Sequence, residues 1–275
     1  MRVKLILEKA KETIVKLAEN QALLKPFLNV VLADLESAIE RISPSNYLLL
    51  PESKEHPDLT VSLGKVSYGP EMEELAKGLK LNLRNNAQGY IGNINFEQAE
   101  SLCEGLEGFM TTPSLFVEKL RLLRSEEAYD AQGNKHDSKR LEQAFNEITE
   151  VRSPWRSECL NHRYSQKGNE IFVTYHKFVN GKLEQVTEPL DEDTLMQDKT
   201  PGISLDDYIE NPNSQGLPRK SVKKGSLWYW HPREGRVARF DADADWADLN
   251  CNGGPRYSVS DDGVAVVREK TLHNK

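Results

Sequence analysis

The carboxy-terminal stretch, residues 227–268, constrains this chain more than any other part of it. It opens on an aromatic run, Leu227, Trp228, Tyr229 and Trp230, and closes on Val264, Val266 and Val267 after Gly263. Both runs have strand composition. Between them, residues 241–262 are dense in Asp, Asn, Gly and Tyr and are expected to form a loop-rich segment with little regular pattern. A segment pinned by a strand at each end and irregular in the middle is how a binding surface is mounted on a rigid scaffold. Everything upstream would then support or deliver it.

The 275 residues suffice for one large core, or one core with an extension. A net charge of −7 argues against a general nucleic-acid binder, which needs clustered cations to neutralise phosphates. The local basic run Arg219, Lys220, Lys223 and Lys224 reads as a solvated linker. Cys103, Cys159 and Cys251 are far apart, so reduced, buried thiols are expected instead of a zinc ribbon or a disulfide scaffold. No apolar run reaches the length of a bilayer span, so no membrane insertion is expected. Glu8, Lys9, Lys11 and Glu12 interrupt the first apolar stretch too early for a signal peptide. The expectation is synthesis in the cytoplasm.

Residues 1–42 carry Val3, Ile6, Leu7, Ile14 and Leu17, then Leu28, Val31, Leu32, Leu35 and Ile39, at three- and four-residue spacing. That spacing predicts two helices interrupted near Pro26. Their apolar stripe needs cover from the carboxy-terminal domain, a partner protein or a second copy in a homo-oligomer. Residues 48–50 and 59–63 are strand-like, residues 71–79 suit a helix, and a domain boundary is placed near Leu79. Past it, residues 81–84 and 90–94 predict short strands. Asn95 with Gln98 forms a capping box, Thr112 with Pro113 opens a second helix, and residues 138–151 suit a third. Trp155, Tyr164 and residues 171–179 suggest strands. Asn180 and Gly181 predict a tight hairpin turn into a return strand over 182–188. Residues 189–226 read as a long irregular connection. The pattern predicts an α+β domain over 80–275, preceded by a helical and mixed region over 1–79, with the last strand paired near Leu81 or Tyr90.

A resemblance attaches to particular residues. They are Val237, Ala238, Arg239 and Phe240, the alternating Asp241, Asp243 and Asp245, then Ala247, Leu249, Asn250, Cys251, Asn252, Pro255, Gly263 and Val264. Upstream, Gly89, Tyr90, Gly92, Asn95 and Phe96, with Thr112, Pro113 and Phe116, belong to the same pattern. Together they resemble the variable proteins of diversity-generating retroelements, which share a C-type lectin-like fold with the formylglycine-generating enzyme family. The resemblance spans roughly residues 80–268. It implies a C-type lectin-like domain whose variable segment, 237–262, is rewritten at template adenines. The implied partner is a protein or glycan ligand, such as a receptor on a host surface, met from a virion or cell surface. The implied display positions are Asp241, Asp243, Asp245, Trp246, Asp248, Asn250, Asn252 and Tyr257. All are reachable from an Asn codon altered at its adenines, except Trp246, which is reachable from an Arg codon. No catalytic residue, metal or cofactor is implied.

The residue chemistry agrees with recognition. Trp246 and Tyr257 offer large contact area at low entropic cost, and Asn and Asp add adaptable hydrogen bonds. Two alternatives stand beside this reading. Asp241, Asp243, Asp245 and Asp248 also look like a calcium loop, as in a calcium-dependent lectin. The EF-hand pattern fails, however, with Trp246 at its glycine position and Asn252 at its twelfth. Without calcium, mutual repulsion among these carboxylates favours an exposed loop. The other alternative is a formylglycine-generating-type oxidase, whose relatives use two carboxy-terminal cysteines for copper-dependent oxidation, or another enzyme on the same fold. This segment has Cys251 alone. The histidines show no ligand spacing, and no nucleophile elbow, phosphate loop or dinucleotide fingerprint occurs.

Overall fold

In the computed structural model, which describes residues 9–13, 15–16, 46–86, 89–258 and 262–270, helices begin where the sequence places their caps. In chain order the elements are β1 (Tyr47–Leu50), β2 (Leu59–Ser62), α1 (Pro70–Gly78), β3 (Arg84–Asn85), β4 (Ile91–Gly92), α2 (Phe96–Gly105) and β5 (Phe109–Met110). Then come α3 (Pro113–Leu123), α4 (Ser138–Thr149), β6 (Arg156–Lys167), β7 (Glu170–Val179), β8 (Lys182–Pro189), β9 (Lys199–Ile203) and α5 (Leu205–Glu210). The last are β10 (Leu227–Trp230), β11 (Val237–Ala242), β12 (Ala247–Gly253), β13 (Asp262–Gly263) and β14 (Val266–Glu269). The chain is an α+β protein.

Side chains satisfy first free amides of α2, α3, α4 and α5, whereas α1, which follows Gly69, has no such cap. Asn95 Oδ1 accepts from the Gln98 amide at 3.0 Å, and Gln98 Oε1 accepts from the Asn95 amide at 3.0 Å, completing the capping box of α2. Thr112 Oγ1 accepts from the Leu115 amide at 3.3 Å at the start of α3, with Pro113 in the first turn. Asn180 and Gly181 take φ of 52° and 76°, the left-handed pair that a two-residue hairpin turn needs between β7 and β8.

The larger sheet runs in the order β8-β7-β6-β11-β12-β10-β9, with β13 also paired to β6. A four-stranded sheet runs β1-β2-β14-β5, and β3 pairs with β4. One buried apolar cluster joins the two larger sheets and α3. Phe116 of α3 packs on Phe240 of β11 with ring centroids 5.2 Å apart.

Four expectations are corrected. The chain divides into compact units at residues 1–47 and 48–275, not near Leu79. The reason is that β2 is locked antiparallel to β14, with Val61 opposite Val267. The last strand therefore pairs with β2 and β5, not near Leu81 or Tyr90, and Gly263 belongs to β13 beside β6. Residues 189–226 contain β9 and α5. The supposed loop over 241–262 is largely a hairpin of the large sheet. Of the helices expected over 1–42, residues 9–13 and 15–16 are helical, and the rest of that expectation lies outside the described residues.

Candidate functional site

The hairpin β11–β12 is built from two strict alternations. In β12, Ala247, Leu249 and Cys251 alternate with Asp248, Asn250 and Asn252. In β11, Ala238, Phe240 and Ala242 alternate with Arg239 and Asp241. Successive side chains of a strand point to opposite faces, so the apolar set enters the core and the polar set shares the other face. Asp243 makes the turn. Its Oδ1 accepts from the amides of Asp245 at 2.7 Å and Trp246 at 2.9 Å, and its own amide donates to the Trp246 carbonyl at 2.9 Å.

The register then draws a polar row across five strands. Trp228 lies beside Asp248, Asp248 opposite Asp241, Asp241 opposite Ser157, and Ser157 beside Asp262. One step along the strands, Trp230, Asn250, Arg239 and Cys159 form a second row on the same face. At the turn end Trp246 stacks on Trp228, with centroids 4.2 Å apart and planes 2° from parallel. Trp230 meets Trp228 at 64°. The Trp246 indole N–H donates to Asp248 Oδ2 at 3.2 Å. At the other end the Arg239 guanidinium lies over the Tyr257 ring, 4.9 Å from its centroid.

The expected display positions therefore fall into two layers. Asp245 and Tyr257 are exposed, the latter at 49%, and Asp243, Trp246, Asn250 and Asn252 are half-buried. Asp241 and Asp248 are only 5% exposed, so the exposed loop predicted for them is corrected: they form the floor beneath the tryptophans. Trp246, bonded to Asp248, and Arg239, beside Asp241, cover them. The repulsion thought to favour exposure is met differently. Arg239 Nε lies 3.1 Å from Asp241 Oδ2, and its Nη1 lies 3.8 Å from Asp262. Burial alone would lower the Arg239 pKa, but Asp241 and Asp262 outweigh it and raise it.

Asp241 Oδ1 and Asp248 Oδ1 are both buried without a conventional hydrogen bond. One proton shared between the two carboxyls would satisfy both oxygens. Burial, and then the neighbouring Asp241, push Asp248 up to about 8, and burial raises Asp241 despite Arg239. The pair thus holds a proton more tightly than ordinary carboxyls do, with the Arg239 guanidinium beside it. Among the described residues no group of three or more His, Cys, Asp or Glu could hold a metal. All three cysteines are free and buried, and burial raises each thiol, Cys251 to about 12.

Sequence reasoning missed Trp228, Trp230, Arg239 and Ser157 as members of this face. The signal was there: the two-residue period of Asp248, Asn250 and Asn252 against Leu249 and Cys251 marks a half-buried strand. The density of Asp, Asn and Gly hid it. No protein-family model matches the chain, and no curated protein or solved structure matches it.

Proposed function

We propose that the face formed by β10, β11, β12 and the Asp243 turn recognises a protein or glycan ligand. On this reading the unit is a C-type lectin-like domain whose carboxy-terminal surface is diversified by a retroelement and displayed on a virion or cell surface. One observation carries the proposal. Asn250 and Asn252 lie on the side of the strands away from the core-facing Phe240, Leu249 and Cys251, and Asp245 and Trp246 lie at the turn, none of them buried, so their side chains can change while the core stays filled. The stacked Trp228 and Trp246 give that face a flat aromatic surface, and the exposed Asp245 adds hydrogen-bond acceptors beside it.

The test is a library randomised at Asp245, Trp246, Asn250, Asn252 and Tyr257, compared with one randomised at Phe240, Leu249 and Cys251. Most members of the first library should resist proteolysis with stability within about 1 kcal/mol of the parent, and most of the second should not. Equal losses in both libraries would end the proposal. The retroelement part has its own check. The gene should lie near a reverse transcriptase gene and a near-copy of its 3′ segment differing at adenines.

A further inference from the structure

We propose that the cleft between β7, the β5–α3 segment and residues 53–56 is a binding site for a small, neutral aromatic alcohol, separate from the tryptophan face. The β6–β7 ladder runs from the turn, with Lys167 opposite Glu170, to Arg163 opposite Thr174 and stops there. Beyond it β6 stays paired with β11, while β7 continues to Val179 beside β8. Asn161 bridges the parting strands. Its Oδ1 accepts from the His176 backbone N–H at 2.8 Å and lies 3.1 Å from His176 Nδ1. Chain from β5 and the start of α3 wedges into the gap. What remains is a cleft of about 110 Å³ whose walls include Phe109, Leu115, Phe178, His176, His56 and Glu118.

Size and walls suit one ring. An apolar cavity of roughly 150 Å³ takes up a benzene molecule, so the cleft is on the scale of a single six-membered ring. Phe109 provides an aromatic wall, with the His176 and Phe178 rings 6.0 and 6.1 Å from it. Tilted and edge-on rings at these separations favour a further ring beside them.

The charges inside the cleft, His56, Glu118 and Lys177, already have partners, and Glu55 is exposed at its edge. His56 Nε2 lies 3.0 Å from Glu118 and its Nδ1 lies 2.7 Å from the Pro57 carbonyl. Lys177 lies 3.7 Å from Glu188. A charged guest would lose its hydration and find these groups engaged, so a neutral one is preferred.

The hydroxyl follows from proton accounting at His176. A backbone N–H can only donate, so the Asn161 atom it faces is the amide oxygen. His176 Nδ1, facing that same oxygen, must carry a proton. Burial lowers the His176 pKa, so the ring is neutral and its Nε2 is left as an acceptor. A phenolic O–H is a donor on a ring of the right size.

Titration of the full chain with phenol and with anisole, followed by two-dimensional NMR, tests this. Anisole keeps the ring and the oxygen but has no proton to donate. Phenol should bind saturably, with a dissociation constant on the order of 1 mM, and anisole about tenfold more weakly. His176→Phe keeps a ring in the wall and removes the acceptor, so it should bring the two ligands to equal affinity. Ser53→Trp, at an exposed position on the mouth, should abolish binding of both. Absence of saturable shifts, equal affinities in the wild type, or phenol binding unchanged by Ser53→Trp would each overturn the proposal.

Discussion

Asp248→Asn tests whether the carboxyl pair under the tryptophans holds one proton. In the folded chain burial, and then Asp241, raise Asp248 to about 8. An unfolded aspartate titrates near 3.9, roughly the model-peptide value. Between these values the folded protein keeps a proton that the unfolded chain has released. Stability therefore falls as pH rises through that window and levels off only above the folded value. One proton gives a slope of about 1.4 kcal/mol per pH unit, so this pair should cost the wild type about 2.7 kcal/mol between about pH 5 and about pH 7. Asparagine keeps the shape, lets its oxygen accept from the Trp246 indole and its N–H donate to Asp241, and does not titrate. The stability of the variant minus that of the wild type should then climb by about 2.7 kcal/mol across the same window. Urea unfolding followed by tryptophan fluorescence reads this as a midpoint difference multiplied by a common m value. Other titrating groups cancel in the subtraction. A difference that stays flat, or declines, would refute the shared proton.

Other outcomes follow from single contacts. Asp243→Ala removes an acceptor that serves two turn amides, and should cost about 1–2 kcal/mol in urea unfolding, most of it restored by Asp243→Asn. Gly216 has φ +76°, and a side chain there would lie 2.1 Å from the Ser114 amide nitrogen, so Gly216→Ala should destabilise by more than about 3 kcal/mol or prevent folding. Native protein should not react with a thiol reagent, because its cysteines are buried and burial holds their thiols protonated; all should react once urea is added. Rapid labelling of Cys251 in the folded chain would contradict the packing of the hairpin.

Local signals carried the helices and the hairpin turn. Asn95 with Gln98, Thr112 with Pro113, and Asn180 with Gly181 each specify a geometry within a few residues, and the structure has all three. Long-range pairing was less legible. Nothing in the composition of residues 263–267 says that the final strand meets residues 59–62 instead of residues near Tyr90, because a short valine run fits several strand edges equally well. The site was half legible. Its residues were named individually, but their character was misread: Asp and Asn usually mark turns, and here they line a sheet face under Trp228 and Trp230. The polar pair Asp241 and Asp248 can sit inside only because the register sets the two side by side, next to Arg239.

The position of β14 has a consequence for biosynthesis. It lies between β2 and β5, both of which leave the ribosome long before it. Until residues 266–269 emerge, those two strands face each other across a vacant place, and this unit cannot close from its amino-terminal side alone. The segment that differs most in the proposed scheme is translated just before the strand that finishes the job. In that scheme each newly written version would be inspected as β14 takes its place, and a version that blocked the pairing would leave apolar edges bare for chaperones and proteases to find.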